Sequence, residues 1–394
     1  MGQILRHPGV IFVNLLLLAT LMVAIAMPGQ APSTTITVSG TPWGLSTCEI
    51  GATEGNVRFD IADLHAAGIT TYRIYGGMSR WEWQDNDGIY GAPTIAEIKA
   101  NPNVINWTWW DQAMTTPPHG SDYWWSGQDH VWPGNARTIF SALQSAGIRP
   151  VLTLRNVDNT GNPAWAQQLN PPRSPEDWNE WWEHVFAMVY WLNVRNAYNV
   201  NDFEVHNEPS SAKQGWGGTI DDYYTFMQYT YDAIRYVYHT YLPGRTFHVF
   251  APVTGGSSWP PEVMLNAGAS FDTVDVHNYS ADISDYTAQV HGWMQQYGKA
   301  DAELWLSEWA TYGDGYQSAS TGVNTVLNNL IRGAPPGNDH IDGSHLFPFY
   351  NWDGSGSASQ SFQGLVGPMS TPLAIFNGVS NAAMTQDVWA WFVQ

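Results

Sequence analysis

Short strand-forming runs and amphipathic helical runs alternate about eight times along a chain of 394 residues. Such a rhythm implies a parallel sheet with helices on its faces. Eight repeats in this length predict an α/β fold closed as a (β/α)8, or TIM, barrel with an ordinary load of insertions. A second observation separates this from an open doubly wound sheet. Polar and aromatic residues fall at or near the C-terminal ends of the predicted strands, at Arg73, Glu208, His277, Glu308 and Trp352, and in a barrel those ends share one face. Third, an open sheet that binds a dinucleotide carries a Gly-rich phosphate turn after its first strand, and Gly40 to Gly55 contains none.

Residues 1–33 precede the fold. Arg6 and His7 lead into a nearly pure apolar run, Val10 to Met27, broken by Asn14 and Thr20. Ala24-Ile25-Ala26 fits a small-x-small cleavage site, and Pro28-Gly29 ends the helix. This is the pattern of a secretory signal peptide followed by a short polar linker. The run is also long enough for an uncleaved membrane anchor. Secretion is the expectation, membrane attachment through residues 10–27 the alternative, and residues 34–394 are expected to form one domain.

A first strand is expected to end at Trp43-Gly44-Leu45. Asn56 to Ala67 has helical spacing, with Gly68 as its stop, and Ile69 to Tyr75 is a strand rich in β-branched and aromatic residues. Gly76 to Pro133 reads as a long irregular insertion after the second strand. It is crowded with tryptophans, among them Trp81, Trp83, Trp107, Trp109 and Trp110. Loops of that length in compact domains are usually functional. Asn135 to Ala146 is a helix stopped by Gly147, and Arg149 to Leu154 a strand. Ser174 caps the next helix, with Pro175 in its first turn and Glu176 and Asp177 after it; it runs to about Asn199. Beyond it the pattern predicts strands at Phe203–Ser210, Phe247–Pro252, Thr273–His277, Glu303–Ser307 and His345–Tyr350. The helices between and after them are Asp221–Leu242, Ile283–Tyr297, Thr321–Arg332 and Thr371–Ala383.

The chain is 44% hydrophobic and 13% charged, a folded composition. Its 15 Lys plus Arg against 35 Asp plus Glu give a net charge of −20, a field that repels nucleic acid and anionic membranes but not a neutral ligand. The 22 Trp and 19 Tyr are core filler or flat platforms for the C–H faces of sugar rings. Cys48 is the only cysteine, so neither an intramolecular disulfide nor a Cys zinc cluster is possible. HExxH is absent. Asp85-Asn86-Asp87-Gly88 resembles part of a calcium loop, but with Gly88 sixth, Trp83 and Thr94 occupy the first and twelfth positions, where carboxylates belong. No metal or cofactor is expected.

Phe203 to Ser210 is the central stretch. Phe203 and Val205 are strand formers at alternate positions, Pro209 ends the ladder, and Glu208 stands there beside Asn207. Glu303 to Tyr312 repeats the design: the apolar run Leu304 to Leu306, then Glu308 beside Trp309. Brought to one barrel mouth, two such carboxyls sit about 5–5.5 Å apart in a retaining glycosidase. One is then held protonated by its neighbour's charge while the other is ionised.

HNEP at 206–209, with LSEW at 306–309, resembles the large clan of retaining (β/α)8-barrel glycoside hydrolases that includes cellulases, mannanases and β-xylosidases. The resemblance implies that Glu208, on the fourth strand, is the acid/base and Glu308, on the seventh, the nucleophile. It implies that Arg73 lies near the nucleophile and that Tyr279, after His277, hydrogen-bonds it. It further implies that Asn207 meets the sugar 2-hydroxyl, that Trp352 floors the reacting sugar, and that Trp309 joins the substrate-binding set. The third-strand end, Arg155-Asn156, carries no subfamily signature. The function expected is retaining hydrolysis of β-linked poly- or oligosaccharides. The alternatives are an exo-acting β-glycosidase of β-xylosidase type, or a barrel that binds carbohydrate without turnover.

Overall fold

A computed structural model of the protein describes residues 44–45, 49–53, 59–66, 69–82, 90–116, 135–155, 170–210, 216–255, 259–268, 270–279, 284–309, 341–346 and 383–384. Eight parallel strands close a barrel in chain order. They are β1 (Glu49–Thr53), β2 (Thr71–Tyr75), β3 (Arg149–Leu154), β4 (Asp202–Val205), β5 (His248–Thr254), β6 (Thr273–His277), β7 (Glu303–Trp309) and β8 (Gly343–Leu346). β8 returns to β1 and completes the ring. The N-terminal stretch, residues 1–43, lies outside the described residues, as do the helices expected over 321–332 and 371–382.

The first strand is the one misplaced by sequence. Gly44–Leu45 does not enter the barrel; it pairs antiparallel with Ala383–Met384, so Ala383 is not helical. The barrel opens instead at β1, whose sequence EIGAT is weak as a strand signal. Its glycine is required by packing. A Cβ on Gly51 would lie 2.1 Å from His345 Cδ2 and 2.3 Å from Thr71 Oγ1.

Helices cover the barrel: α1 (Ile61–Ala66), α2 (Met78–Trp81), α3 (Ile95–Ala100), α4 (Trp107–Thr115), α5 (Ala136–Ala146), α6 (Pro175–Tyr190), α7 (Ile220–Tyr241), α8 (Pro260–Ala267) and α9 (Ser284–Gln296). The ends follow local chemistry. Ser174 and Asp177 form a capping box on α6, and Gly147 closes α5 at φ 69°. Trp181 of α6 stacks on Phe226 of α7 at 4.2 Å and donates its indole N–H to Thr230 Oγ1 at 2.9 Å. Among the described residues no helix is long and apolar enough to cross a membrane.

The insertion after β2 differs from expectation. Its described part is largely helical, in α2, α3, a 3-10 turn at Pro102–Val104 and α4. Trp81 and Trp110 are fully buried, and Trp107 stacks on Tyr190 at 5.0 Å. These rings hold the insertion against the barrel's helical layer, so they are core and not a sugar platform. Trp83, Trp124, Trp125 and Trp132 lie outside the described residues.

Candidate active site

Inward-facing residues of neighbouring strands build a polar column that rises to the C-terminal mouth. Arg73 of β2 is its centre and is fully buried. Its Nε donates to both oxygens of Glu204 on β4, at 2.8 and 2.6 Å. Its Nη1 donates to Glu308 Oε1 on β7 at 2.6 Å and to Tyr75 Oη at 2.9 Å, and its Nη2 to Asn207 Oδ1 at 2.7 Å. Thr153 of β3 adds a 2.6 Å hydrogen bond to Glu204. The planar guanidinium fork thus fixes three strands at once. Because Oδ1 of Asn207 accepts from Arg73, the orientation of that amide is set.

Past β4 the backbone turns sharply. His206 and Glu208 adopt φ of 70° and 43°, a left-handed conformation that costs a non-glycine residue about 1–2 kcal/mol. The turn is held by backbone hydrogen bonds from His206 N to Leu154 O and from Glu208 N to Val253 O, both 2.8 Å. Such strain gathers at functional positions, and here it sets Glu208 at the mouth. Opposite stands Gly255, where a Cβ would come within 2.5 Å of Glu208 Oε1.

His277, at the end of β6, lies between the two glutamates. Its Nδ1 is 3.0 Å from Glu208 Oε1 and 3.4 Å from Glu308 Oε2, and its Nε2 is 3.0 Å from Ser307 Oγ. One oxygen of each glutamate and a nitrogen of His277 all lie within 4.8 Å of one another. Tyr75 Oη donates to Glu308 Oε1 at 2.6 Å, and Tyr279 Oη donates to Oε2.

Charge follows from this geometry. Burial pushes Glu308 up, but the His277 and Arg73 cations, with the Tyr279 and Tyr75 hydroxyls, outweigh it and hold the carboxyl down at about 2. Burial pushes His277 down, but the Glu308 charge and then the hydrogen bond and charge of Glu208 raise it above the ordinary imidazole value. Burial keeps Tyr75 a phenol well beyond its usual range. The mouth therefore holds an ionised Glu308 clamped by cations and hydroxyls.

The structure brings together six of the eight residues picked out by sequence: Arg73, Asn207, Glu208, His277, Tyr279 and Glu308. Trp352 and the Trp309 side chain lie outside the described residues. Sequence reasoning missed Tyr75, Glu204, Ser307 and Gly255. One of them had a signal: Tyr75 lies two residues beyond Arg73 on β2 and so shares its face of the strand. Glu208, His277 and Glu308 are also the one cluster among the described residues with the spacing of metal ligands. A metal there would have to displace the donors on Glu308 and the proton on His277, so the geometry reads as a carboxylate pair.

A parallel eight-stranded barrel with two buried glutamates at its C-terminal mouth is the class these observations define. No family model matches the chain. A curated β-xylosidase of Caldicellulosiruptor saccharolyticus is 27% identical over 163 residues, which is 39% of this chain and 32%, about a third, of the relative. Among solved structures, a glucosidase from Croceicoccus marinus superposes with a TM-score of 0.58 at 15% identity, covering 86% of this chain and 68% of that one. A GH39 β-xylosidase from Caulobacter crescentus gives 0.57 at 17%, covering 86% and 73%. At these identities the likeness to the two solved structures is one of fold.

Proposed function

We propose that the protein is a retaining glycoside hydrolase acting on β-linked sugars. The observation that carries this reading is the pair Glu208 and Glu308, with oxygens within 4.8 Å and Glu308 held ionised. Retaining enzymes hold their two carboxyls about 5–5.5 Å apart, whereas inverting ones leave room for a water at roughly 6.5–9.5 Å. In the first step Glu308 attacks the anomeric carbon. The bond to the leaving oxygen breaks, and that oxygen takes the Glu208 proton. The glycosyl ester on Glu308 is then opened by water, whose proton passes to Glu208. Asn207, its amide oxygen held by Arg73, offers its NH2 to the sugar 2-hydroxyl. Trp352 and Trp309 are proposed to contact the sugar, on the resemblance alone.

Within this class we favour an exo-acting enzyme of β-xylosidase type, because the curated relative and one of the solved structures carry that name. The test is release of nitrophenol from aryl β-xyloside, β-glucoside and β-mannoside, and of reducing sugar from xylan, glucan and mannan. Wild type is expected to act best on the aryl xyloside, and Glu308→Gln to lose at least a thousandfold in kcat. Activity that persists in Glu308→Gln refutes the mechanism; preference for a polymer refutes exo action. Secretion is proposed from residues 1–33, and N-terminal sequencing of protein recovered from medium reads the cleavage site.

A further inference from the structure

We infer that Tyr75 is a positioning residue for the nucleophile, and that the two oxygens of Glu308 have separate duties. The inference rests on the proposed function for its kinetic meaning and on geometry for the rest. Oε1 faces β2. It accepts from Arg73 Nη1 and from Tyr75 Oη, both at 2.6 Å. Oε2 faces β6, where it accepts from Tyr279 Oη and lies 3.4 Å from the His277 nitrogen that also bonds Glu208 Oε1. A sugar between the two carboxyls meets Oε2, the oxygen on the side of the acid/base. Oε2 is therefore the attacking atom, and Oε1 is the tether that keeps the carboxylate plane aimed.

Tyr75 is built for the tether. It follows Arg73 by two residues on one strand, so both point inward. Arg73 Nη1 donates to the Tyr75 oxygen at 2.9 Å, and the Tyr75 hydroxyl donates to Glu308 Oε1 at 2.6 Å, much closer than its other acceptor, Asn207 Oδ1 at 3.4 Å. The Arg73 guanidinium lies 4.8 Å and that of Arg155 5.6 Å from the ring centroid, and nearby cations make a phenol a stronger donor. Burial resists its ionisation, so the proton stays available.

The test is Tyr75→Phe, with 13C-carboxyl NMR of Glu-labelled protein, the Glu308 resonance assigned by its loss in Glu308→Gln. In wild type that carboxyl is expected to stay ionised at the lowest pH where the protein remains folded. In Tyr75→Phe its titration is expected to rise into the measurable range, while kcat on an aryl glycoside falls ten- to hundredfold with little change in KM. An unmoved titration overturns the inference, whatever the kinetics. A moved titration in a protein that cleaves no glycoside keeps the tether and sinks the hydrolase reading instead. Should Tyr75→Phe not fold, 3-fluorotyrosine at position 75 supplies a more acidic phenol of nearly the same shape. An unchanged kcat in that protein counts against the tether, and a changed one supports it.

Discussion

Gly255 leaves the space that Glu208 fills. A methyl there would sit 2.5 Å from Oε1, so Gly255→Ala is expected to push the carboxyl away from His277. Kinetics with thermal unfolding as control should show kcat lowered roughly tenfold to a hundredfold, since a displacement of about 1 Å has that effect, with little change in melting temperature. Arg73 makes the opposite case, a residue whose removal strands others. Arg73→Lys cannot reproduce the fork, and it leaves Glu204 or Glu308 short of a partner in a buried site. Breaking a buried pair costs about 3–5 kcal/mol, which urea unfolding would register; a change under 1 kcal/mol would contradict the network. Glu208 and Glu308 are legible in the sequence because each closes an apolar strand, while Asn207 and Arg73 are legible through the resemblance. Glu204 is not, since it sits between two strand formers and its partner is 131 residues away. Gly255 was illegible in principle, because its contribution is an absence of atoms.

Elements fared unevenly for reasons of the same kind. β3 and β6 were read to the residue, as Arg149–Leu154 and Thr273–His277, because β-branched and apolar runs lie between clear helix stops. β1 escapes the sequence pattern because Gly51 must be small beside His345 and Thr71, and a glycine hides a strand. The Gly, Pro and Asp content of the insertion after β2 points to loop. Yet Thr94 with Glu97 is a visible capping box, and Asn106 caps α4; tertiary burial of Trp81 and Trp110 then stabilises what composition disfavoured. The α6–α7 layer gives a direct measure of this packing. Trp181 is fully buried against Phe226 and His184. Trp181→Ala is expected to cost about 3–5 kcal/mol in urea unfolding, against under 1 for a ring that merely lined a groove.

At the scale of the whole molecule, charge decides the acid limit. His184 and His206 are buried and pushed down to about 3 by desolvation. The unfolded chain takes up protons at both below about 6.5 while the folded one does not, so stability falls as pH drops from there toward 3. Glu308 acts next. Its folded value of about 2 against an ordinary 4.5 contributes about 3 kcal/mol, present above 4.5 and lost as pH falls toward 2. His277 opposes them: its raised value stabilises below about 6.5, an effect lost as pH rises through that folded value. Three buried histidines lowered by desolvation, His184, His206 and His345, stand against two raised ones, His277 and His248, so on the histidine balance the melting temperature is expected to fall from pH 7 toward pH 4. Over the same interval Glu308 remains ionised. Loss of activity in acid should then follow unfolding and not protonation of the nucleophile, and circular dichroism at each pH beside initial rates would separate the two. An activity that vanishes while the fold persists at pH 4 would show that protonation within the site, and not unfolding, sets the acid limit.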